Sequence, residues 1–244
     1  MIEINNVEKR FGSAEVLKRI NLKVEPGEVV TILGSSGSGK STLIRCINGL
    51  EALSGGAIRV DGHDVSTSAG LAAARRRSAT VFQLFNLYPH MTVLRNVTLA
   101  PIQVLGQPRA EAEAQARALI DLVGLTEHAD AYPQRLSGGQ RQRVGICRAL
   151  AMQPRYLLLD EVTSALDPEM TGEVLAILAR LAAEGTTMVF VTHEIEFARR
   201  ISDRIVFLEA GELIVDMPTE AFFSEEGGLA VPRIRKFLSK MTKD

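Results

Sequence analysis

The chain has 244 residues, 46% hydrophobic and 23% charged, with 28 basic against 29 acidic side chains and a formal net charge of −1. That mixture excludes a disordered chain, and the charge balance excludes a strongly basic surface, so no nucleic acid partner is expected. No apolar run approaches the ~18 residues of a membrane span, and the opening MIEINNVEKRFG lacks the basic head and apolar stretch of a signal peptide. Contact with a membrane is therefore expected to run through a partner.

Taken in chain order, MIEINNVEKRF and LKRINLKVEPGE alternate polar and apolar residues up to a Pro-Gly turn, and GAIRVDGHDV at 56–65 alternates likewise. Both predict antiparallel strands joined to the main sheet. VVTILG (29–34), ATVFQ (79–83), YLLLD (156–160) and TMVFVTH (187–193) are short apolar runs ending on polar residues, the pattern of buried strands. Helical spacing of apolar residues runs through 40–50, 111–123, 140–152 and 169–184. Buried strands alternating with helices predict an α/β fold with a mostly parallel core sheet covered on both faces.

The insertion between VFQ and YLLLD reads mainly helical, with Gly124 placed to end one helix. One domain over 1–244 is expected, its core built from roughly 1–85 and 151–244 and a helical subdomain inserted at 86–150. The tail, 204–244, opens on the hairpin-like RIVFLEAGELIVD and closes on an amphipathic RIRKFLSKM. The basic runs ARRRS (74–78) and RIRK (233–236) read as solvated faces. Cys46 and Cys147 stand alone in apolar helical contexts, as buried thiols of a reducing compartment do.

The chemistry concentrates in GSSGSGKST, residues 34–42, which follows a strand and opens a helix, the context of a P-loop (Walker A). Gly34, Gly37 and Gly39 allow the backbone to turn its N–H groups around a β-phosphate, with Ser35, Ser36 and Ser38 between them. Lys40 can reach the β- and γ-phosphates, Ser41 offers a hydroxyl to Mg²⁺, and Thr42 can donate to the α-phosphate at the helix start. YLLLDE supplies the complement. Asp160 ends a buried strand where it can hold a magnesium-bound water, and Glu161 stands next to it as a general base. An ATPase or GTPase follows, and the lack of an NKxD-like guanine reader disfavours GTP. LSGGQRQR at 136–143 then raises a puzzle, because Ser137, Gly138 and Gly139 open another helix suited to an anion. In isolation this stretch reads equally well as a turn before an N-capped helix.

LSGGQ at 136–140, together with Walker A, Walker B, Gln83 and His193, resembles the ATP-binding cassette family over essentially the whole chain and in the family's order. The resemblance implies a P-loop NTPase fold with an amino-terminal antiparallel β-subdomain and a helical signature subdomain. It also implies two chains packed head to tail as an ATP-dependent homodimer, the signature residues Ser137, Gly138, Gly139 and Gln140 of one completing the ATP site of the other. By the same resemblance, His193 contacts the γ-phosphate, Gln83 senses Mg²⁺ and the attacking water and links the site to a membrane partner, Asp167 joins the two sites across the dimer, and Phe11 stacks on adenine. Val162 departs from the proline that many relatives carry after the Walker B glutamate. Valine keeps the backbone N–H and relaxes the preceding residue.

FNLYPHMTVLRNVTLAP and the ending AFFS…RIRKFLSK are similar to the ATPase subunits of bacterial polar amino acid importers. That branch implies ATP hydrolysis on the inner face of the cell membrane by a cytoplasmic, peripheral subunit. It also implies integral membrane partners and, indirectly, an extracytoplasmic substrate-binding protein. Phe85, Leu87, Tyr88 and Met91 form an apolar cluster that either docks a membrane subunit or packs inside the helical subdomain. The competing readings are a soluble cassette ATPase acting on DNA or ribosomes, an importer of another small solute, and a non-catalytic ATP sensor. The retained Glu161 and His193 speak against the sensor, and the lack of a heptad array speaks against a DNA-repair member.

Overall fold

The computed structural model describes residues 1–241, so the last three residues of the predicted tail lie outside the described residues. The strands β1 (Ile2–Phe11) and β2 (Ala14–Val24) form a hairpin around Gly12 and Ser13, and β3 (Val29–Leu33) leads through the phosphate-loop sequence into α1 (Lys40–Ile47). Then come β4 (Gly55–Val60), β5 (His63–Asp64), α2 (Ser68–Arg77) and β6 (Ser78–Val81). Three helices follow: α3 (Val93–Leu105), α4 (Arg109–Leu122) and α5 (Gly138–Leu150). The chain returns through β7 (Tyr156–Asp160), α6 (Pro168–Ala183), β8 (Thr187–Val191), α7 (Ile195–Ile201), β9 (Arg204–Glu209) and β10 (Glu212–Pro218), and ends on α8 (Thr219–Phe222) and α9 (Pro232–Met241).

The strands divide into two sheets. One has the order β10-β9-β3-β8-β7-β6, with β9, β3, β8, β7 and β6 parallel and β10 antiparallel at one edge. This is the mostly parallel core that the four apolar runs predict. The other has the order β2-β1-β4-β5, and every pairing in it is antiparallel. The expectation that these strands join the main sheet is therefore corrected. Both edges of β3 are taken by β8 and β9, so β2 does not pair with the strand that follows it in the chain. The Pro26-Gly27 turn accordingly carries the chain from one sheet to the other rather than closing a hairpin. Backbone contact between the sheets includes Lys18 N–H donating to Gly211 O at 2.8 Å.

The period of two along each core strand feeds two separate apolar layers. Tyr156 and Leu158 of β7, with Val189 and Val191 of β8, face a core shared with α1 and the antiparallel sheet. Leu157 and Leu159, with Met188 and Phe190, face the opposite way onto Val174, Leu178 and Leu181 of α6. Each such side chain taken fully out of water contributes about 1.5–3 kcal/mol, which is why a strand buried on both faces tolerates no polar interior residue without a partner. A third apolar cluster joins Val93 and Val97 of α3, Ala116 and Ile120 of α4 and Val144 and Cys147 of α5. There α4 stops in a Schellman turn. Gly124 takes φ +68°, its N–H bonds to Asp121 O, and the Leu125 N–H bonds to Ile120 O, each at 2.9 Å. A fourth cluster packs α9 onto β9, where the Phe237 and Phe207 rings lie 5.2 Å apart.

The basic runs lie at the surface as expected, with Arg75, Arg76, Arg233, Arg235 and Lys236 exposed, yet some of their side chains are tied down. Arg75 donates to the carbonyls of Asn48 and Gly49, tying α2 to the end of α1, and Arg233 pairs with Glu209 at 3.2 Å. Arg77, Arg155 and Tyr156 converge on Asp61, in the turn between β4 and β5, where the Met1 ammonium also donates at 2.8 Å. Burial pushes the Asp61 carboxyl up, but the hydrogen bonds from the Met1 ammonium, Tyr156 and Arg155 outweigh it and hold the group well below the usual carboxylate range. A carboxylate whose pKa falls on folding stabilises the protein above its unfolded value of about 3.9. That contribution is lost as pH drops through the folded value. Asp61→Asn is therefore expected to destabilise the fold by about 1–3 kcal/mol at neutral pH. In denaturant titrations across pH, the gap from wild type should begin to narrow at about pH 4 and close only as pH falls through the lower folded value.

Both cysteines are buried, as expected, and burial pushes the Cys46 thiol up to about 11 and the Cys147 thiol up to about 12. No helix among the described residues is long and apolar enough to cross a membrane.

Candidate active site

The phosphate loop owes its shape to glycines in a crowded place. Gly34, Gly37 and Gly39 all take positive φ, at 152°, 76° and 103°. At Gly34 a Cβ would lie 2.0 Å from the Leu208 carbonyl oxygen, and at Gly39 it would lie 2.8 Å from Val16 O. Side chains are thus excluded by β9 at Gly34 and by β2 at Gly39, which hold the two ends of the loop, while Ser35, Ser36 and Gly37 between them are exposed. The ammonium of Lys40 folds back under it, donating to Gly34 O at 2.8 Å and Ser35 O at 3.0 Å. Burial lowers the Lys40 pKa, while the nearby charges of Glu161 and Asp160 oppose the shift.

Ser41, in the first turn of α1, donates its hydroxyl to Asp160 Oδ1 at 2.6 Å across 119 residues of sequence. Burial raises the Asp160 pKa, and the Ser41 hydrogen bond and the charge of Arg45 pull the other way. One residue on, Glu161 stands at φ +49°, and its N–H is fixed by Val191 O at 3.0 Å. That left-handed backbone is uncommon for a side-chain-bearing residue. A following proline would push residue 161 toward an extended conformation. Val162 leaves the turn accessible, and its side chain, 2% exposed, fills the α6 core. The Glu161 carboxylate accepts from His193 Nε2 at 3.0 Å; a carboxylate can only accept, so the imidazole donates. β7 and β8 are hydrogen-bonded neighbours in the sheet, and their ends therefore place Asp160, Glu161 and His193 together.

Ser36, Gly37, Ser38, Gly39, Lys40, Ser41, Thr42, Glu161 and Val16 line a cavity of about 350 Å³. Sequence reasoning missed Val16, which reaches the cavity from β2, and the only signal for it was its place next to buried Leu17. The Ser38 hydroxyl, buried beside Gly34, has no hydrogen-bond partner among the described residues. Phe11 is outside the cavity lining, 46% exposed at the end of β1. Gln83 is also outside it, exposed in the loop after β6.

Residues 137–140 do not reach the cavity of their own chain. Ser137 N-caps α5 in a capping box, accepting from Gln140 N–H at 3.2 Å while its own N–H donates to Gln140 Oε1 at 2.8 Å. The Gln140 amide also donates to His128 Nε2 at 3.1 Å, which turns that side chain back into its own subdomain. Gly138 and Gly139 occupy the first turn, where backbone N–H groups have no carbonyl one turn earlier to bond. Gly139 is buried, and a Cβ there would meet Met170 at 2.7 Å. Asp167 caps α6, accepting from Met170 N–H at 3.0 Å, so both loops meet on one methionine.

The apolar cluster expected after Gln83 is split. Leu87 packs into the helical core, whereas the Phe85 and Tyr88 rings lie beneath the guanidinium groups of Arg141 and Arg148. Leu84, not singled out in the sequence, is 69% exposed. Tyr88 borders a groove of about 420 Å³ with Leu99, Ala100, Val104, Ala149 and Met152.

Comparison with known proteins agrees with this geometry. The ABC transporter family model matches residues 17–164. Glutamine transport ATP-binding protein GlnQ of Geobacillus stearothermophilus is 52% identical over 242 residues, 99% of each chain. Glutamate/aspartate import ATP-binding protein GltL of Escherichia coli K12 is 47% identical over 242 residues, again 99% of each. Among solved structures, a dimeric ATP-binding cassette in a post-hydrolysis state bound to ADP and Pi gives a TM-score of 0.81 at 36% identity, covering 90% of this chain and 99% of that one. With the phosphate loop, the paired carboxylates and the signature turn all in place on that fold, the chain belongs to the ABC transporter family as an ATP-binding cassette.

Proposed function

We propose that this chain is the ATP-hydrolysing subunit of an ABC importer for polar amino acids, working as a homodimer on the inner face of the cell membrane. The observation that carries the reading is the separation, within one chain, of the phosphate cavity from the Ser137-capped helix start at Gly138 and Gly139, which lies outside it. A second copy placed head to tail would bring Ser137, Gly138 and Gly139 to the triphosphate held by Lys40 and Thr42. Asp167, beside the signature turn, would join the two sites. Gln140 supports this surface from behind, through its bonds to Ser137 and His128.

In this reading Phe11 receives the adenine beyond the phosphate cavity. Glu161 takes a proton from the water that attacks the γ-phosphorus. His193 holds the glutamate in place and reaches the γ-phosphate, and Lys40 balances the charge passing to the departing ADP. The donor set at Ser41 and Asp160, a hydroxyl and a carboxylate in contact, fits Mg²⁺, with Gln83 brought in by movement of its loop. With one hydroxyl and one carboxylate from the chain, phosphate oxygens and waters would complete the coordination. Bound there, Mg²⁺ supplies neutralisation of phosphate charge.

The groove beside Tyr88, which touches the loop after Gln83, is the surface that would receive the integral membrane subunits. The 86–150 subdomain would move with them as ATP closes the dimer. A substrate-binding protein would act on the far side, out of contact with this chain.

The test is reconstitution with the membrane pair and substrate-binding protein in liposomes. Uptake of labelled glutamine or glutamate is expected to require internal ATP. Ser137→Arg should abolish uptake and ATP-driven dimerisation while single chains still bind ATP. Dimerisation by Ser137→Arg would overturn the head-to-tail site, and recovery of the ATPase on ribosomes or DNA rather than membrane subunits would overturn the importer.

A further inference from the structure

Lys9 is a cation in an unusual place. It lies in β1, is 8% exposed, and has irregularities in the β1–β2 register on both sides of it that turn it inward. A buried ammonium is costly unless paired. This one donates to Ala52 O at 2.8 Å and meets Glu51 Oε2 at 2.9 Å, both in the segment that follows α1. It also lies 4.4 Å from the centroid of the Phe11 ring. Phe11 keeps nearly half its surface exposed while one face of its ring is covered by a fixed positive charge.

We propose that Lys9 is the positioning residue for the nucleotide base. It holds the Phe11 ring from behind and withdraws electron density from it, so that the free face presents a rigid, electron-poor platform to adenine, an electron-rich ring. Without that anchor an exposed phenylalanine at a strand end would sample several rotamers and lose entropy on stacking. The anchor points belong to the chain leaving the phosphate-loop helix, so base platform and phosphate cradle are tied to one rigid element. The inference rests on the reading of Phe11 as the base-stacking residue.

The experiment measures binding of a non-hydrolysable ATP analogue and of inorganic tripolyphosphate, which has no base, to Lys9→Met, Phe11→Leu and the double variant. Lys9→Met is expected to weaken the ATP analogue about threefold to tenfold, leave tripolyphosphate unchanged, and have no further effect once Phe11 is Leu. Equal weakening of both ligands, or the same loss without the Phe11 ring, would assign Lys9 to the fold alone and overturn the proposal. If Phe11→Leu selectively weakens the ATP analogue and Lys9→Met does not, this proposal falls and the stacking role of Phe11 stands. If Phe11→Leu changes neither ligand, both fall. Should Lys9→Met not fold, Glu51→Gln loosens the ammonium from a partly exposed position, and the same selective loss is expected of it.

Discussion

Glu161→Gln is expected to lower steady-state ATP turnover by about 10²–10⁴-fold while ATP binding survives. Glutamine keeps the shape of the side chain and an oxygen that can still accept from His193, 3.0 Å away in the wild type. It cannot take a proton from water. It also removes one of the two carboxylates whose charges act on Lys40, so a triphosphate meets less repulsion in the cavity. The ATP-bound dimer should therefore accumulate. Phosphate release and size-exclusion chromatography with ATP read the two effects separately. Turnover near the wild-type rate would remove Glu161 from the role of base, and loss of ATP binding would show that the carboxylate positions the nucleotide instead.

The second large effect is expected at Lys40. Lys40→Met preserves much of the stem and removes the ammonium, leaving Asp160 and Glu161 facing the triphosphate without their buried counter-charge. ATP binding should weaken by roughly 10²–10³-fold, and turnover should fall with it. The carbonyls of Gly34 and Ser35 lose a shared donor, yet Ser35 lies at the surface and can turn to water, so the fold is expected to persist. Titration with a fluorescent ATP analogue, alongside thermal unfolding, separates the outcomes. Wild-type affinity in Lys40→Met would mean that the loop N–H groups and the helix start hold the phosphates unaided.

Local stretches were legible because their chemistry is contiguous. GSSGSGKST carries its own geometry: the strand before it, the helix after it and the glycines between them are neighbours in sequence, and their conformation follows from what side chains forbid. The same holds for the N-capped helix after Leu136 and for the helix end at Gly124, to which the structure adds the capping-box and Schellman hydrogen bonds. The four core strands were readable from their uninterrupted apolar runs, because a strand buried on both faces has no room for alternation. By contrast α2, rich in alanine and arginine and weakly amphipathic, left little trace in the apolar pattern.

Contacts between segments far apart in sequence were not legible. Nothing in the spacing of Glu161 and His193 says that they touch; the adjacency of β7 and β8 does. The division into two sheets is a property of strand order rather than of any strand's own sequence. The sequence by itself determined the chemistry available to this protein: phosphate loop, paired carboxylates, signature turn and the apolar runs that build a P-loop core. Only the tertiary structure decided how those groups are combined. It set Ser41 against Asp160 and Lys9 beneath Phe11, and it kept the signature turn away from its own chain's phosphate cavity. The reason is that local sterics and hydrogen bonding act over a few residues, while strand order and core packing choose among partners a hundred residues apart.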